Sequence, residues 1–386
     1  MINVTRLYNG VKTPGDSLRY PEKKTEVRRK KPVVVWTMTR CCNLRCVHCY
    51  SDSGEGLYPG ELTREEAREM LKDLASFRIP ALLLSGGEPL THPYFFELTQ
   101  YASFLGIPLT LSTNGTLIDS SIAKKIKETG FKYVGISFDG LGQVNDCFRG
   151  KKGAFESALK GLRYLKATGQ RVGLRFTLTR RNFSMLPDIF DLIRREGIDR
   201  VCFYHLVYSG RGSQMTKDDL IHQETRTAMD LILKEARNFE HEHLQVEVLT
   251  VDNHADGVYL YLKLRREDPD LAQKALECLL SNGGGANSSG VGIANIDSYG
   301  NVHPDQFWTS YTLGNVRERP FNQIWTDTHD PLLAGLRNRL PLLKGRCGSC
   351  QWKKLCGGAF RVRALQFFGD PWAEDPACYL TEEEIQ

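Results

Sequence analysis

Seven of the eleven cysteines fall into two tight groups: Cys42, Cys46 and Cys49 near the front, and Cys347, Cys350, Cys356 and Cys378 near the end. In a reducing compartment such thiols serve as metal ligands or catalytic groups more often than as disulfides. Three thiolates on one short loop suit three irons of a cubane cluster, whose fourth iron then has no protein ligand. In catalytic metal sites, a position left open by the protein is where chemistry occurs. A structural zinc loop is the alternative, with His48 as fourth ligand on spacing alone. Cys41 creates a second register and is read as a packed thiol. The rear group makes four thiols, a complete set for one tetrahedral metal or one cubane, and spacing alone does not separate zinc from iron–sulfur. Cys147, Cys202 and Cys278 are isolated and read as buried residues.

The elements that position these groups alternate. Short β-rich runs at 33–39, 81–85, 109–112, 133–138, 172–178 and 200–207 are followed by helical patterns at 65–77, 93–105, 118–129, 154–168, 185–196 and 225–239. Thr63 and Glu66 form a capping box ahead of the first helix. Gly106, Gly130, Gly169 and Gly197 mark helix ends. Continuous apolar strands joined by helices mean a parallel sheet covered by helices. Six such units stop short of a closed eight-fold barrel, so the expected class is α/β, a partial (β/α)6 TIM-like barrel with chemistry at the C-terminal strand ends. Cys42, Cys46 and Cys49 follow the first strand. Ser85-Gly86-Gly87-Glu88-Pro89 ends the second, Ser112-Thr113-Asn114-Gly115 the third and Ser137-Phe138-Asp139-Gly140 the fourth. The glycines let backbone approach a ligand, and Glu88 or nearby carbonyls can accept from an ammonium group. Arg175, on the fifth strand, can pair with a carboxylate through its planar fork.

The expected division is a basic leader (1–31), the barrel (32–240) and a smaller C-terminal domain (241–386). That domain begins with a strand-like run at 244–251 and a helical stretch to about residue 280. A Gly/Ser/Asn-rich loop (282–292) leads to a hairpin at 293–297 and 301–303, then a helix over 321–337. So loop-rich a segment calls for a metal centre to fold.

Composition narrows the class. At 386 residues, 41% hydrophobic and 25% charged, the chain is ordinary for a globular protein of two or three domains, which excludes disorder and a disulfide mini-fold. No apolar run reaches the roughly 18 residues of a membrane span. The start, MINVTRLYNG, lacks a hydrophobic signal region, so a cytoplasmic protein is expected. The net charge of +5 suits an anionic small molecule. The basic run Arg28-Arg29-Lys30-Lys31 reads as a solvated face without interleaved aromatics, so no nucleic-acid surface is expected.

With Cys42-x3-Cys46-x2-Cys49 at the end of the first strand, the chain resembles the radical S-adenosylmethionine (SAM) superfamily. The resemblance implies a 4Fe–4S cluster held by these three cysteines, with SAM chelating the fourth iron. Reductive cleavage, fed by a reductant such as ferredoxin or flavodoxin, would yield a 5′-deoxyadenosyl radical. It also implies that Gly86, Gly87, Glu88, Ser112, Asn114, Ser137, Asp139 and Arg175 bind SAM. The rear cysteines are similar to the SPASM/Twitch extension, which carries auxiliary 4Fe–4S clusters. Phe360 and Asp305 stand where a two-cluster version has cysteine, so one auxiliary cluster on Cys347, Cys350, Cys356 and Cys378 is expected, two clusters in all.

Segments such as Asp252-Asn253-His254-Ala255-Asp256-Gly257 and His303-Pro304-Asp305-Gln306-Phe307-Trp308 resemble, with the region after Cys356, the radical SAM proteins of heme d1 biosynthesis. The likeness runs from about residue 32 to the end. It implies action on 12,18-didecarboxysiroheme, with removal of two propionate side chains. A related group in an alternative heme pathway removes acetate side chains from the same ring. A carboxylated, siroheme-derived tetrapyrrole wants bidentate arginines, for which Arg211, Arg361 and Arg363 are candidates. His254 and His303 are candidates for the ring's iron or a propionate. One rival is a peptide-modifying SPASM enzyme, for which a leader of about 31 residues is too short to add a docking domain. The other is a non-catalytic zinc or iron–sulfur protein, which leaves Gly86-Gly87-Glu88 without a purpose.

Overall fold

The computed structural model describes residues 1–20, 31–282 and 289–386. Arg28, Arg29 and Lys30 of the basic run and most of the Gly/Ser/Asn-rich loop lie outside the described residues. The core is one eleven-stranded sheet. In chain order its strands are β1 (Ile2–Asn3), β2 (Val33–Thr37), β3 (Leu82–Ser85), β4 (Leu109–Thr113), β5 (Tyr133–Ser137), β6 (Val172–Leu178), β7 (Arg200–His205), β8 (Glu247–Val251), β9 (Ile293–Ile296), β10 (Asn301–His303) and β11 (Gly314–Asn315). Strands β2 to β8 pair in sequence order, all parallel, and the sheet does not close. Pairs such as Thr37 with Ser85, Thr113 with Ile136 and Leu178 with His205 bring the C-terminal ends to one rim.

Because every crossover steps to the next strand in the same direction, the connecting helices lie on one face of the parallel array. Helices Arg64–Phe77, Phe95–Phe104, Ser120–Thr129, Ala154–Ala167, Leu186–Glu196 and His222–His241 follow the strands in turn. The expected capping box is present, with Thr63 accepting from the Glu66 N–H at 3.2 Å and Glu66 accepting from the Thr63 N–H at 2.8 Å. Gly130 and Gly197 end their helices at φ +87° and +58°, conformations that favour glycine. One barrel helix, Gly142–Arg149, was not foreseen. It opens on a glycine with no side-chain cap, so no local signal announces it.

The sheet crosses the expected boundaries at 31 and 240. Strand β1 pairs antiparallel with β8, and the helix Val4–Asn9 buries Val4, Leu7 and Tyr8 in the main core. Strand β8 continues the parallel array beside β7, while β9 adds to the other edge, parallel to β2. The hairpin of β9 and β10 forms as expected. The single helix expected over 321–337 is two, Phe321–Thr326 and Pro331–Arg337, because Asp330 caps a new start on the Leu333 N–H at 2.7 Å with proline in the first turn. Among the described residues, no helix is long and apolar enough to cross a membrane.

Candidate metal centre and its cavity

The loop from Thr39 to Gly54 leaves β2 at the rim and is stitched down on three sides. The Gly87 and Glu88 N–H groups donate to the carbonyls of Thr39 and Cys41 at 2.7 and 2.9 Å. The Val47 N–H donates to Phe148 at 2.9 Å, and the Arg211 N–H to Cys49 at 2.9 Å. A Cβ on Gly87 would lie 2.2 Å from the Cys41 carbonyl oxygen, and one on Gly86 would lie 2.5 Å from that of Thr39. The close approach these glycines permit is therefore also to the cysteine loop.

Cys42, Cys46 and Cys49 line one cavity of about 1080 Å³, counting its open mouth. Gly86, Gly87, Ser112, Asn114, Ser137, Arg175 and Arg211 line the same cavity. Cys41 is not in its lining, and its backbone bridges to Gly54. Polar groups reach each of the three sulfurs: Asn114 Nδ2 lies 3.9 Å from Cys42 Sγ, Arg149 Nη1 3.6 Å from Cys46 Sγ, and the Ser53 N–H 3.4 Å from Cys49 Sγ. Burial pushes the Cys42 thiol up to about 12 and raises Cys46, with Arg149 opposing the latter. His48 lines the same cavity, with its Nε2 held 3.3 Å from Asp139.

Two expected SAM contacts point into protein. The fully buried Glu88 carboxylate accepts from Thr113 Oγ1 and the Asn114 N–H, both at 2.8 Å, and from the Leu90 N–H at 3.1 Å. Burial pushes it up to about 6 against those bonds. It braces the end of β3 to that of β4. Asp139, also fully buried, pairs with Arg149 and His48 and accepts from the Thr177 N–H at 3.0 Å. Arg175 does face the cavity. Its guanidinium lies over the Tyr204 ring, 4.6 Å from the centroid, and enters no salt bridge with a described residue.

The rear thiols sit on short turns. Cys347 lies in the helix Gly345–Ser349, Cys350 follows it, Cys356 ends the helix Lys353–Cys356, and Cys378 returns through its N–H bond to the Asp375 carbonyl at 3.0 Å. Burial, then the nearby Cys378 and Cys347 thiols, push Cys356 up to about 12; burial does the same to Cys378. Arg346 Nη1 lies 3.3 Å from Cys378 Sγ. Where a two-cluster protein would have further cysteines, the space is packed. Phe360 meets Phe307 edge-on at 5.4 Å, and Asp305 accepts from Ser289 and from the Phe307 N–H.

Four of the five expected substrate residues are elsewhere. Arg361 is fully buried and donates to the carbonyls of Pro371, Ala373 and Gly358, fastening the rear loop. Arg363, also fully buried, pairs with Asp375 at 3.0 Å and donates to the carbonyls of Leu206 and Asp252. His303 is held by the Tyr311 carbonyl at 2.7 Å and Asp297 at 3.3 Å. His254 is buried outside the cavity lining, with Nε2 3.2 Å from the amino terminus. Arg211 does line the cavity. It holds Asp52 and the carbonyls of Cys46 and Ser53, and its Nη2 has no partner among the described residues. The cavity also holds residues that sequence reasoning missed: Tyr50, Tyr204, Asp252, Gln306 and Phe307. Tyr50 adjoins Cys49, and Asp252, Gln306 and Phe307 lie in the segments that carry the family resemblance, but only the folded register shows that they share one cavity.

A radical SAM superfamily profile matches residues 36–193, from β2 to the helix after β6. The chain is 51% identical to Fe-coproporphyrin III synthase of Methanosarcina barkeri, covering all of this chain and 99% of that protein. It is 50% identical to pre-heme d1 synthase of Dinoroseobacter shibae, covering 92% of this chain and 87% of the relative. The chain belongs to the radical SAM superfamily. Among solved structures, SuiB of Streptococcus suis with bound S-adenosylmethionine shares the fold of this radical SAM enzyme, at TM-score 0.70 and 18% identity over 91% of this chain and 78% of that one. The family's cofactors are a 4Fe–4S cluster and SAM, and the lining fits them: three thiols on one loop, short polar groups at the strand ends, and an Arg175 without a carboxylate partner.

Proposed function

We propose that this radical SAM enzyme removes carboxylated side chains from a siroheme-derived tetrapyrrole. The observation that carries the proposal is that two relatives about half identical to it, over 92% of the chain or more, are both named for tetrapyrroles. The cavity supports it with an open mouth and three arginines in its wall, Arg149, Arg175 and Arg211. In this reading Cys42, Cys46 and Cys49 hold the cluster that binds SAM, and when bound the pair supplies a radical able to abstract hydrogen from a saturated carbon. The protein's part is to orient the ring and exclude water. Gly86, Gly87, Ser112, Asn114, Ser137 and Arg175 form the SAM side, with Glu88 and Asp139 bracing the strand ends behind it. Cys347, Cys350, Cys356 and Cys378 hold a second 4Fe–4S cluster. The reductant is a small electron carrier such as ferredoxin or flavodoxin.

For the reaction itself, the resemblance to heme d1 proteins favours loss of two propionates from 12,18-didecarboxysiroheme. A second reading, loss of two acetates to an iron coproporphyrin, is favoured by the relative that matches the whole chain, including the residues that build β1. Mass spectrometry of the anaerobic product decides: loss of two propionates supports the first reading, loss of two acetates the second, and an unaltered ring with SAM cleaved would overturn both.

A further inference from the structure

Asp252 follows β8 directly at the rim and is strained in a specific way. Its φ is +67°, a left-handed conformation uncommon outside glycine, and such strain persists where surrounding structure enforces it. The enforcement is visible. Arg363 Nη2 donates to the Asp252 carbonyl at 2.6 Å, and Asn253 Nδ2 to the Ala377 carbonyl at 2.9 Å. The backbone is thus fastened while the carboxyl lines the cavity, 8% exposed, with no hydrogen-bond donor from any described residue. It is the one carboxylate among the cavity's described lining residues. Charged and titratable groups face it from every side: Arg175 on β6, Tyr204 on β7, Tyr50 on the cysteine loop, Asp305 after β10, Arg363 from the helix Arg361–Phe368, and the Met1 amine beside β1. The charge of Arg363 is already taken up by Asp375. Burial pushes Asp252 up to about 6 despite the cations.

An unpartnered acid in the wall of a site for an anionic ring calls for an explanation. A metallated tetrapyrrole has no pyrrole N–H to offer. The one acidic proton such a ring can present is on its carboxylic acid side chains. Two carboxyl groups in contact do not both ionise in a low-dielectric site; they hold one proton between them. We infer that Asp252 is a substrate-binding residue whose carboxyl shares a single proton with a carboxylic acid side chain of the ring. The inference rests on the tetrapyrrole reading above. Binding then takes up one proton from solvent, and the side chain so held is fixed against the wall formed by the ends of β6, β7 and β8.

The test is a fluorescence titration of the anaerobic holoenzyme with zinc coproporphyrin III, a tetracarboxylate whose own groups do not titrate between pH 7 and 8. Wild type is expected to weaken about tenfold per pH unit over that range, the slope of one proton taken up. Asp252→Asn keeps the shape and tolerates the left-handed backbone. It is expected to bind with no slope, and at pH 8 more tightly than wild type. Asp252→Ala is expected to bind weakly at both pH values. Binding by wild type without a slope, or a slope retained in Asp252→Asn, would overturn the inference and leave the tetrapyrrole reading standing. No binding by wild type at either pH would overturn that reading and the inference with it.

Discussion

At the scale of single residues, the cysteine loop makes the sharpest claim. Replacing Cys42, Cys46 or Cys49 with alanine is expected to abolish formation of 5′-deoxyadenosine, whereas Cys41→Ala retains it; the reverse pattern for Cys41 and Cys42 would shift the register by one residue. Glu88 makes a claim about pH. Its carboxyl sits at about 6 when folded and at an ordinary 4.5 when unfolded, so ionising it is harder in the native protein. Its contribution to stability is full below pH 4.5 and declines by about 2 kcal/mol as pH rises past 6. Denaturant midpoints measured between pH 4 and 7 should show that fall, and Glu88→Gln should remove it. Arg363, once a candidate for the substrate, is now a matter of folding. Arg363→Ala strands Asp375 and two carbonyls in the interior, and a loss of about 3–5 kcal/mol in chemical denaturation is expected.

At the scale of elements, Gly87 binds β3 to the cysteine loop. Gly87→Ala forces a methyl group into the Cys41 carbonyl, which is backbone and fixed by the Glu88 N–H. Circular dichroism should be unchanged while the front cluster fails to load and iron falls by about half. Much of this layer was legible in the sequence. Strand periodicity, the Thr63–Glu66 box and the helix-ending glycines are local, and each fell within a few residues of its place. Hidden were features that depend on distant partners. Glu88 and Asp139 have the right types at the right strand ends, but their direction is set by Thr113, Asn114, Arg149 and His48. Strand β8 was expected, but beyond the barrel boundary, so Asp252 at its end was not placed at the rim. The tail arginines looked apt for carboxylates, and sequence does not say that an internal aspartate and carbonyls claim them first.

At the scale of the whole molecule, the front and rear cysteine groups belong to one sheet-centred body. About eight irons per chain are expected, four for each group of cysteines. Twelve would restore the second auxiliary cluster that Phe360 and Asp305 are read as having replaced. Cys378→Ala should change the paramagnetic resonance of the rear cluster while leaving that of the front; an unchanged rear signal would remove Cys378 from its ligands.

Arg363 runs from Asp375, three residues ahead of Cys378, to the carbonyls that close β7 and β8. That single side chain works like a guy-rope between the rear cysteine group and the barrel mouth. Slackening at one end is felt at the other without any electron moving. A variant that cannot load the rear cluster, such as Cys347→Ala, should therefore still cleave SAM yet grip the macrocycle loosely, and its injury would read as a fault of docking rather than of ignition.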